Sequence, residues 1–325
     1  MTAESLKWMV SLFYVAGTWV DKRLTKTQKL SCPVISVGNI AVGGRGKTPF
    51  VIWLTQWFQT NGWNPVILTR GYGRSSKSVV EIEKSMFEQK GSVLTSDLAG
   101  DEPIEIAAAT GATVLVGSDR LANAQSYLRK HPELRTIFLL DDGFQHWKIA
   151  RDFDLVLVDH ADLRDYVIPA GRLREPPGAL KRAQLVLERG KDFQKQSHLI
   201  SKPEDSHRLA FVTSRAPDPM YRQDLSYRFP KAHWIEFSDH APAEVIRERL
   251  ARDGITSALV GAKEAVKLLP PHELKEFFRT GKAQAILNSR TSIQLHYVAC
   301  KLKPGMKTNF AKLWEEAWHV AGKHH

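Results

Sequence analysis

Ser36-Val37-Gly38-Asn39-Ile40-Ala41-Val42-Gly43-Gly44-Arg45-Gly46-Lys47-Thr48-Pro49 is the stretch that decides the fold class. It follows an apolar run at residues 33–37 and leads into another, Phe50-Val51-Ile52-Trp53-Leu54, so a glycine-rich turn joins a predicted buried strand to a predicted helix. Such a turn suits phosphate. Glycines let successive backbone N–H groups point at phosphate oxygens, Lys47 supplies a point charge for the β- and γ-phosphates, and the Thr48 hydroxyl stands at a helix N-terminus as a Mg²⁺ ligand. Gly43, Gly44, Arg45, Gly46, Lys47 and Thr48 are therefore the candidate nucleotide-binding residues. Ala41 stands where the usual G-x-x-x-x-G-K-[ST] spacing has its first glycine, and the extra glycine of the Gly43-Gly44 pair can carry the turn instead. The competing reading is a glycine-rich turn with an incidental lysine; the strand before it and the helix after it favour the phosphate loop.

Outward from this loop, apolar runs recur at residues 65–68, 113–116, 136–140, 155–158 and 185–187, several of them separated by segments of helical character. The alternation predicts an α/β fold with a P-loop NTPase-like parallel sheet core, whose chemistry gathers at the carboxyl ends of the strands. Residues 189–207 are polar and read as a linker. Shorter strand candidates at 209–213, 234–237, 257–260, 285–287 and 293–298 predict a smaller second α/β unit. The expected division is an N-terminal helix over 1–25, a P-loop domain over 26–200 and a smaller α/β domain over 201–325.

The 325 residues are 43% hydrophobic and 25% charged, an ordinary globular composition long enough for one large core or two smaller ones, which excludes disorder as the expectation. A net charge of +11 favours anionic company: nucleic acid, an acidic membrane surface or a phosphorylated substrate. Cys32 and Cys300 are the two cysteines, without the spacing of a zinc site or a disulfide framework, which suits a reducing compartment. Lys323-His324-His325 carries no metal assignment without a third partner. Residues 5–20 form the most apolar segment, shorter than the roughly 20 residues of a spanning helix. Lys7, Ser11, Tyr14 and Thr18 recur on it at helical spacing as a narrow polar stripe, so the segment reads equally as an amphipathic helix in a membrane interface or as one packed on its own domain.

Two acidic spots complete the candidate site. The run at 136–140 delivers Asp141-Asp142-Gly143 to the sheet edge, where a Walker B acid meets Mg²⁺; an Asp-Gly turn is the alternative, and the phosphate loop earlier in the chain favours the metal. Gly100-Asp101-Glu102-Pro103 precedes an apolar helix, so its carboxylates either cap that helix or accept a proton from an attacking hydroxyl.

Taken together these residues resemble the tetraacyldisaccharide 4′-kinase family. The resemblance rests on Gly38-Asn39 and the loop through Pro49, Thr69-Arg70-Gly71-Tyr72-Gly73, Gly100-Asp101-Glu102-Pro103, Asp119-Arg120, Asp141-Asp142-Gly143-Phe144-Gln145-His146, Arg151-Asp152 and Leu173-Arg174-Glu175-Pro176. Ala41 is also expected of that family. Beyond residue 200 the chain departs: Ser238-Asp239-His240-Ala241 keeps one histidine of an Asp-His-His element. Gly261-Ala262-Lys263-Glu264-Ala265-Val266-Lys267 lacks the leading hydroxyl and acid of Thr-Glu-Lys-Asp-Ala-Val-Lys, and Arg172 replaces a usual proline.

The resemblance implies ATP and Mg²⁺ as cofactors and the 4′-hydroxyl of a tetraacylated glucosamine disaccharide 1-phosphate as phosphate acceptor, in lipid A biosynthesis. It implies Lys47 and Thr48 on phosphate and Mg²⁺, Asp141 and Asp142 around the metal, Asp101 as the base, and His240 orienting that base. Arg70, Arg120 and Arg174 are candidate substrate-binding residues, because guanidinium groups present paired donors to phosphate. The basic balance and the N-terminal helix then imply a peripheral or monotopic protein at the cytoplasmic face of the bacterial inner membrane, with the membrane surface and the acylated lipid as partners and no nucleic acid. A membrane-associated regulatory ATPase switch is the alternative; such switches commonly carry an additional lysine early in the loop, where this chain has Val42. A nucleic-acid-dependent ATPase draws on the charge alone.

Overall fold

The computed structural model describes residues 3–193, 195–201, 203, 208–214, 219–238, 241–302, 312 and 316. The elements in the first half of the chain are α1 (Ala3–Leu24), β1 (Val34–Gly38), α2 (Lys47–Thr60), β2 (Asn64–Thr69), β3 (Val80–Ile82), α3 (Ser96–Ala99), α4 (Asp101–Thr110), β4 (Thr113–Val116), α5 (Arg120–Lys130), β5 (Thr136–Asp141) and β6 (Phe153–Asp159). Then come β7 (Leu185–Arg189), β8 (Lys195–Leu199), β9 (Leu209–Thr213), α6 (Pro219–Arg228), β10 (His233–Glu236), α7 (Ala243–Arg252), β11 (Ser257–Val260), α8 (Ala262–Leu268), α9 (Pro271–Thr280), β12 (Lys282–Asn288) and β13 (Thr291–Leu302). Two compact units interleave along the chain: residues 1–70, 119–195 and 302–325 form one, and residues 71–118 and 196–301 the other. Residues 71–118 thus cluster with the later part of the chain, although a linear division puts them in the P-loop domain.

In the first unit five parallel strands run in the order β2-β5-β1-β6-β7. Every residue of β1, β5 and β6 is buried, which is why their sequences read as continuous apolar runs rather than alternating ones. From β1 the chain crosses through α2 to β2 on one side, and from β5 it passes to β6 on the other side of β1. The strand order therefore reverses around β1, and the loops after β1 and β5 open where α/β sheets collect ligands. Helix α2 seals this sheet with Phe50, Val51, Leu54, Thr55 and Phe58, all buried. Each large apolar side chain among them contributes about 1.5–3 kcal/mol of burial.

Ala41 is buried against Ile40, Phe144, Val156 and Leu173. The chain there is extended and bridged to the segment around Leu173, with the Val42 N–H donating to the Arg172 carbonyl at 2.8 Å. A position held this way needs no glycine. The turn is made instead by Gly43 and Gly46, at φ 108° and 88°, where a Cβ would be strained.

Helix α1 is longer than the segment the sequence marks, 22 residues, yet no helix among the described residues is both long and apolar enough to cross a membrane. The side chains of its polar stripe that are described, Ser11, Tyr14 and Thr18, face inward, while that of Lys7 lies outside the described residues. Ser11 is buried, its hydroxyl donating to the Val167 carbonyl at 2.9 Å and accepting from the Ala170 N–H at 3.2 Å, while Tyr14 and Thr18 are half-buried. Leu12 and Phe13 are 69% and 75% exposed, and Trp19, Val20 and Leu24 are exposed with them. The helix is thus held on its own unit through its polar side, with these apolar side chains outward. The hydroxyl of Ser11 has specific carbonyl and N–H partners in the 167–170 turn that an apolar side chain could not satisfy.

The second unit holds the antiparallel β3–β4 pair and a sheet ordered β10-β9-β11-β13-β12, parallel except at the β12–β13 hairpin, with β8 added beside β13. Strand β8 lies inside the stretch 189–207 that the sequence marks as a linker. Lys195-Gln196-Ser197-His198 is polar because the strand is held by ladder hydrogen bonds, which leave no apolar signature.

Candidate functional site

Helix α2 opens at Gly46, whose left-handed conformation and missing side chain leave the first N–H groups of the helix without a side-chain cap. That is an anion-binding terminus, and Lys47 and Thr48 stand on its first turn. The Lys47 ammonium lies 3.3 Å from Asp142 Oδ1. Arg174 grips the same carboxylate with both forks, Nη1 to Oδ2 at 2.8 Å and Nη2 to Oδ1 at 2.9 Å, and its Nη2 also donates to Asn39 Oδ1. Burial alone would raise the Asp142 carboxyl, but the Arg174 hydrogen bonds and the Lys47 and Arg174 charges outweigh it and hold the group well below the usual carboxylate range.

Asp142 has φ 52°, a left-handed conformation that aspartate tolerates better than most residues. The turn is tight on both sides: a Cβ on Gly143 would come within 2.6 Å of Leu140 Cβ, and one on Gly38 within 2.6 Å of Phe144 Cβ. Asp141, at the end of β5, is buried and accepts from the Thr69 hydroxyl at 3.1 Å. The buried Arg120, on the first turn of α5, donates to the Asp141 carbonyl at 3.1 Å. Arg70 is exposed just beyond β2. The Arg45 side chain pairs with Asp162 through Nε at 2.8 Å and lies 3.1 Å from Asp159, which ties the loop to the end of β6. His146 is pushed down to about 4, by burial first and then by Arg120, Arg151 and Lys148, and is a neutral ring near neutral pH.

Among the described residues no group of three or more His, Cys, Asp or Glu side chains gathers as a metal cluster. Mg²⁺ does not need one, because it keeps waters and phosphate oxygens and takes one or two protein carboxylates. Thr48, Asp141 and Asp142 offer hard oxygen donors of that kind in the first unit.

Asp101 belongs to the second unit and begins α4, after Gly100 at φ 93°. Its Oδ2 lies 3.3 Å from Lys267 Nζ, and the neighbouring Glu102 Oε1 lies 3.2 Å from Lys263 Nζ. It lines a cavity of about 440 Å³ together with Tyr72, Ser96, Ala241, Arg247 and Lys267. His240 lies outside the described residues. Further along α4, Glu105 is pushed up to about 8 by burial and by the charges of Glu102, Glu264 and Asp101, against the pull of Lys263. A carboxyl raised in the fold stabilises it fully below the unfolded value of 4.5, and that stability drains away as pH rises through 8. Glu105→Gln is therefore expected to leave Tm almost unchanged at pH 5 and to raise it by about 2–4 °C above pH 8, read by thermal unfolding. A lower Tm than the parent at high pH would contradict this.

The family model described as LpxK, tetraacyldisaccharide-1-P 4′-kinase, matches residues 3–258. The chain belongs to this family. A tetraacyldisaccharide 4′-kinase of an Azoarcus species is 45% identical over 209 residues, 64% of this chain and 59% of that one, so the chain spans less than two thirds of that relative's length. The corresponding protein of Chlorobaculum parvum is 33% identical over 261 residues, covering 78% of this chain and 70% of its own. The crystal structure of LpxK from Aquifex aeolicus, described as an apo form in complex with ATP, superposes with a TM-score of 0.68 at 25% identity and covers 97% of this chain and 99% of that one.

Several residues of this tetraacyldisaccharide 4′-kinase family member support the cluster outside the candidate site residues; of these the sequence marks Gln145, with His146, as a residue that steadies the Asp141–Asp142 turn. Thr69 meets Asp141 because β2 pairs with β5 in the register Leu68 to Leu140, one step earlier, and parallel register leaves no trace in a single sequence. Asn39 orients Arg174, while Gln145 donates to the Asn39 carbonyl at 3.0 Å and to Glu175 at 2.8 Å. Their signal was membership of the quoted motifs; the sequence gives no order of roles within a motif.

Proposed function

We propose that the chain is a kinase that transfers the γ-phosphate of ATP to the 4′-hydroxyl of a tetraacylated glucosamine disaccharide 1-phosphate, in lipid A biosynthesis, with Mg²⁺ as cofactor. The observation that carries this reading is the cluster of Lys47, Asp142 and Arg174 at an uncapped helix N-terminus, in a chain of this family. Lys47 and the N–H groups of the loop take up the charge of the β- and γ-phosphates. Thr48, Asp141 and Asp142 would hold Mg²⁺, which when bound would neutralise charge on the phosphate oxygens. Asp101 accepts the proton of the 4′-hydroxyl as its oxygen bonds to the γ-phosphorus; the bond from that phosphorus to the β–γ bridging oxygen breaks, and ADP leaves. His240 is proposed to orient Asp101 on the family resemblance alone. Arg174 begins on Asp142, so its role toward substrate requires exchange of that partner for phosphate; Arg70, which is exposed, and Arg120, which is buried on the Asp141 carbonyl, are the other cations proposed to bind substrate.

The outward apolar face of α1 supports docking at the cytoplasmic face of the inner membrane, with the acyl chains left in lipid. Changing Leu12 and Phe13 together to Gln leaves the Ser11 contacts intact. It is expected to weaken binding to anionic vesicles by about tenfold and raise KM for the lipid acceptor while KM for ATP stays unchanged. Undiminished vesicle binding would remove α1 as the docking element. The kinase reading itself is tested by ADP release: it is expected to depend on added acylated disaccharide, whereas equal release with and without acceptor favours the regulatory switch.

A further inference from the structure

The pairing between α4 and α8 in the second unit has a consequence for the base. Lys267 is buried, its side chain only 5% exposed, and a buried ammonium is stable only beside a countercharge. That countercharge is Asp101 Oδ2 at 3.3 Å, an ion pair without a hydrogen bond, and neither Lys267 Nζ nor Asp101 Oδ1 has a hydrogen-bond partner among the described residues. One turn earlier on α8, Lys263 meets Glu102 at 3.2 Å, so two lysines four residues apart face two consecutive carboxylates on the first turn of α4. Helix α8 is itself anchored. The buried Glu264 accepts from the Ser214 N–H at 2.7 Å and from the Gly261 N–H at 3.2 Å, which fixes the start of the helix although Gly261 has no side chain to cap it.

We propose that Lys267 is a positioning residue for the base: its ammonium holds Asp101 Oδ2 and fixes the rotamer, leaving Oδ1 uncommitted for the proton of the acceptor hydroxyl. This rests on the reading of Asp101 as base in the kinase. It assigns work to the element at 261–267, whose lysines persist where its hydroxyl and first acid are lost. The purely structural alternative is a two-rung tie between α4 and α8, which would affect stability and leave the base as it is.

The test is a double-mutant cycle on the full chain, with MgATP and an acylated disaccharide 1-phosphate as substrates. Lys267→Met is expected to lower kcat about 10- to 100-fold with KM for ATP unchanged, and Lys267→Arg to recover most of the loss. In the Asp101→Asn background, adding Lys267→Met is expected to cost less than about twofold, because the lysine acts through the missing carboxylate. An equal loss in both backgrounds, or an unchanged kcat in folded Lys267→Met, would overturn the proposal. Should the methionine variant show no cooperative unfolding transition, Lys267→Gln carries the same cycle with the same criteria. A normal rate in folded Asp101→Asn would instead remove the base assignment itself. A large loss in Asp101→Asn beside an unaffected Lys267→Met sinks the lysine alone.

Discussion

Lys47→Ala is expected to lower kcat for phosphate transfer by about 10³-fold or more while the protein stays folded. The ammonium contributes little to the fold: it is one of two cations on Asp142, and the remaining one, Arg174, keeps both of its hydrogen bonds to that carboxylate. Its larger contribution is expected at the β- and γ-phosphates, where charge builds during the proposed transfer and the first turn of α2 carries no other cation to replace it. Thermal unfolding and steady-state turnover, measured on the same preparation, separate the two contributions. Turnover close to the parent's in a folded variant would take the loop out of the mechanism.

Asp142→Asn is the second large effect, expected to cost about 100-fold or more in kcat and to shift the Mg²⁺ requirement upward. Asparagine is the informative substitution because it also tolerates the left-handed backbone at φ 52°, so the charge is removed without straining the turn. Since Lys47 and Arg174 hold the carboxylate well below its usual range, Asp142 is ionised throughout the working pH range. Its stabilising contribution is present above the unfolded carboxylate value and is lost only in strong acid, so the low-pH limb of activity must come from another group. Asp141→Asn, which leaves Thr69 facing an amide, is expected to share the altered Mg²⁺ response. Normal rates and normal Mg²⁺ titrations in both variants would remove the pair from the metal site.

The parts of this protein most legible in its sequence are those set by local chemistry. The phosphate loop shows as a buried strand, glycines and an apolar helix, and β1 and α2 begin within a residue or so of the places those signals mark. Strands β9 and β11 coincide with the apolar runs at 209–213 and 257–260. What escaped depends on long-range pairing. The clustering of 71–118 with 196–301 follows from how the chain returns to itself, and β8 is a polar strand held through its backbone. The direction of α1 is the clearest case: periodicity gives a polar stripe, but only the 167–170 turn shows that Ser11 points inward and Phe13 outward. Within the site, the Arg45 guanidinium pairs with Asp162 and Asp159, carboxylates more than a hundred residues away in the chain, and no local motif announces that pairing.

The measurement that bears most directly on the whole account is the fate of the γ-phosphate. Incubated with γ-labelled ATP, Mg²⁺ and a tetraacylated disaccharide 1-phosphate presented in detergent or vesicles, the protein is expected to move label into the lipid as a second phosphate monoester, on the 4′-oxygen. It should move none when the 4′-hydroxyl is blocked. Label released only as inorganic phosphate, or lipid labelled equally well with the 4′-position blocked, would contradict the account.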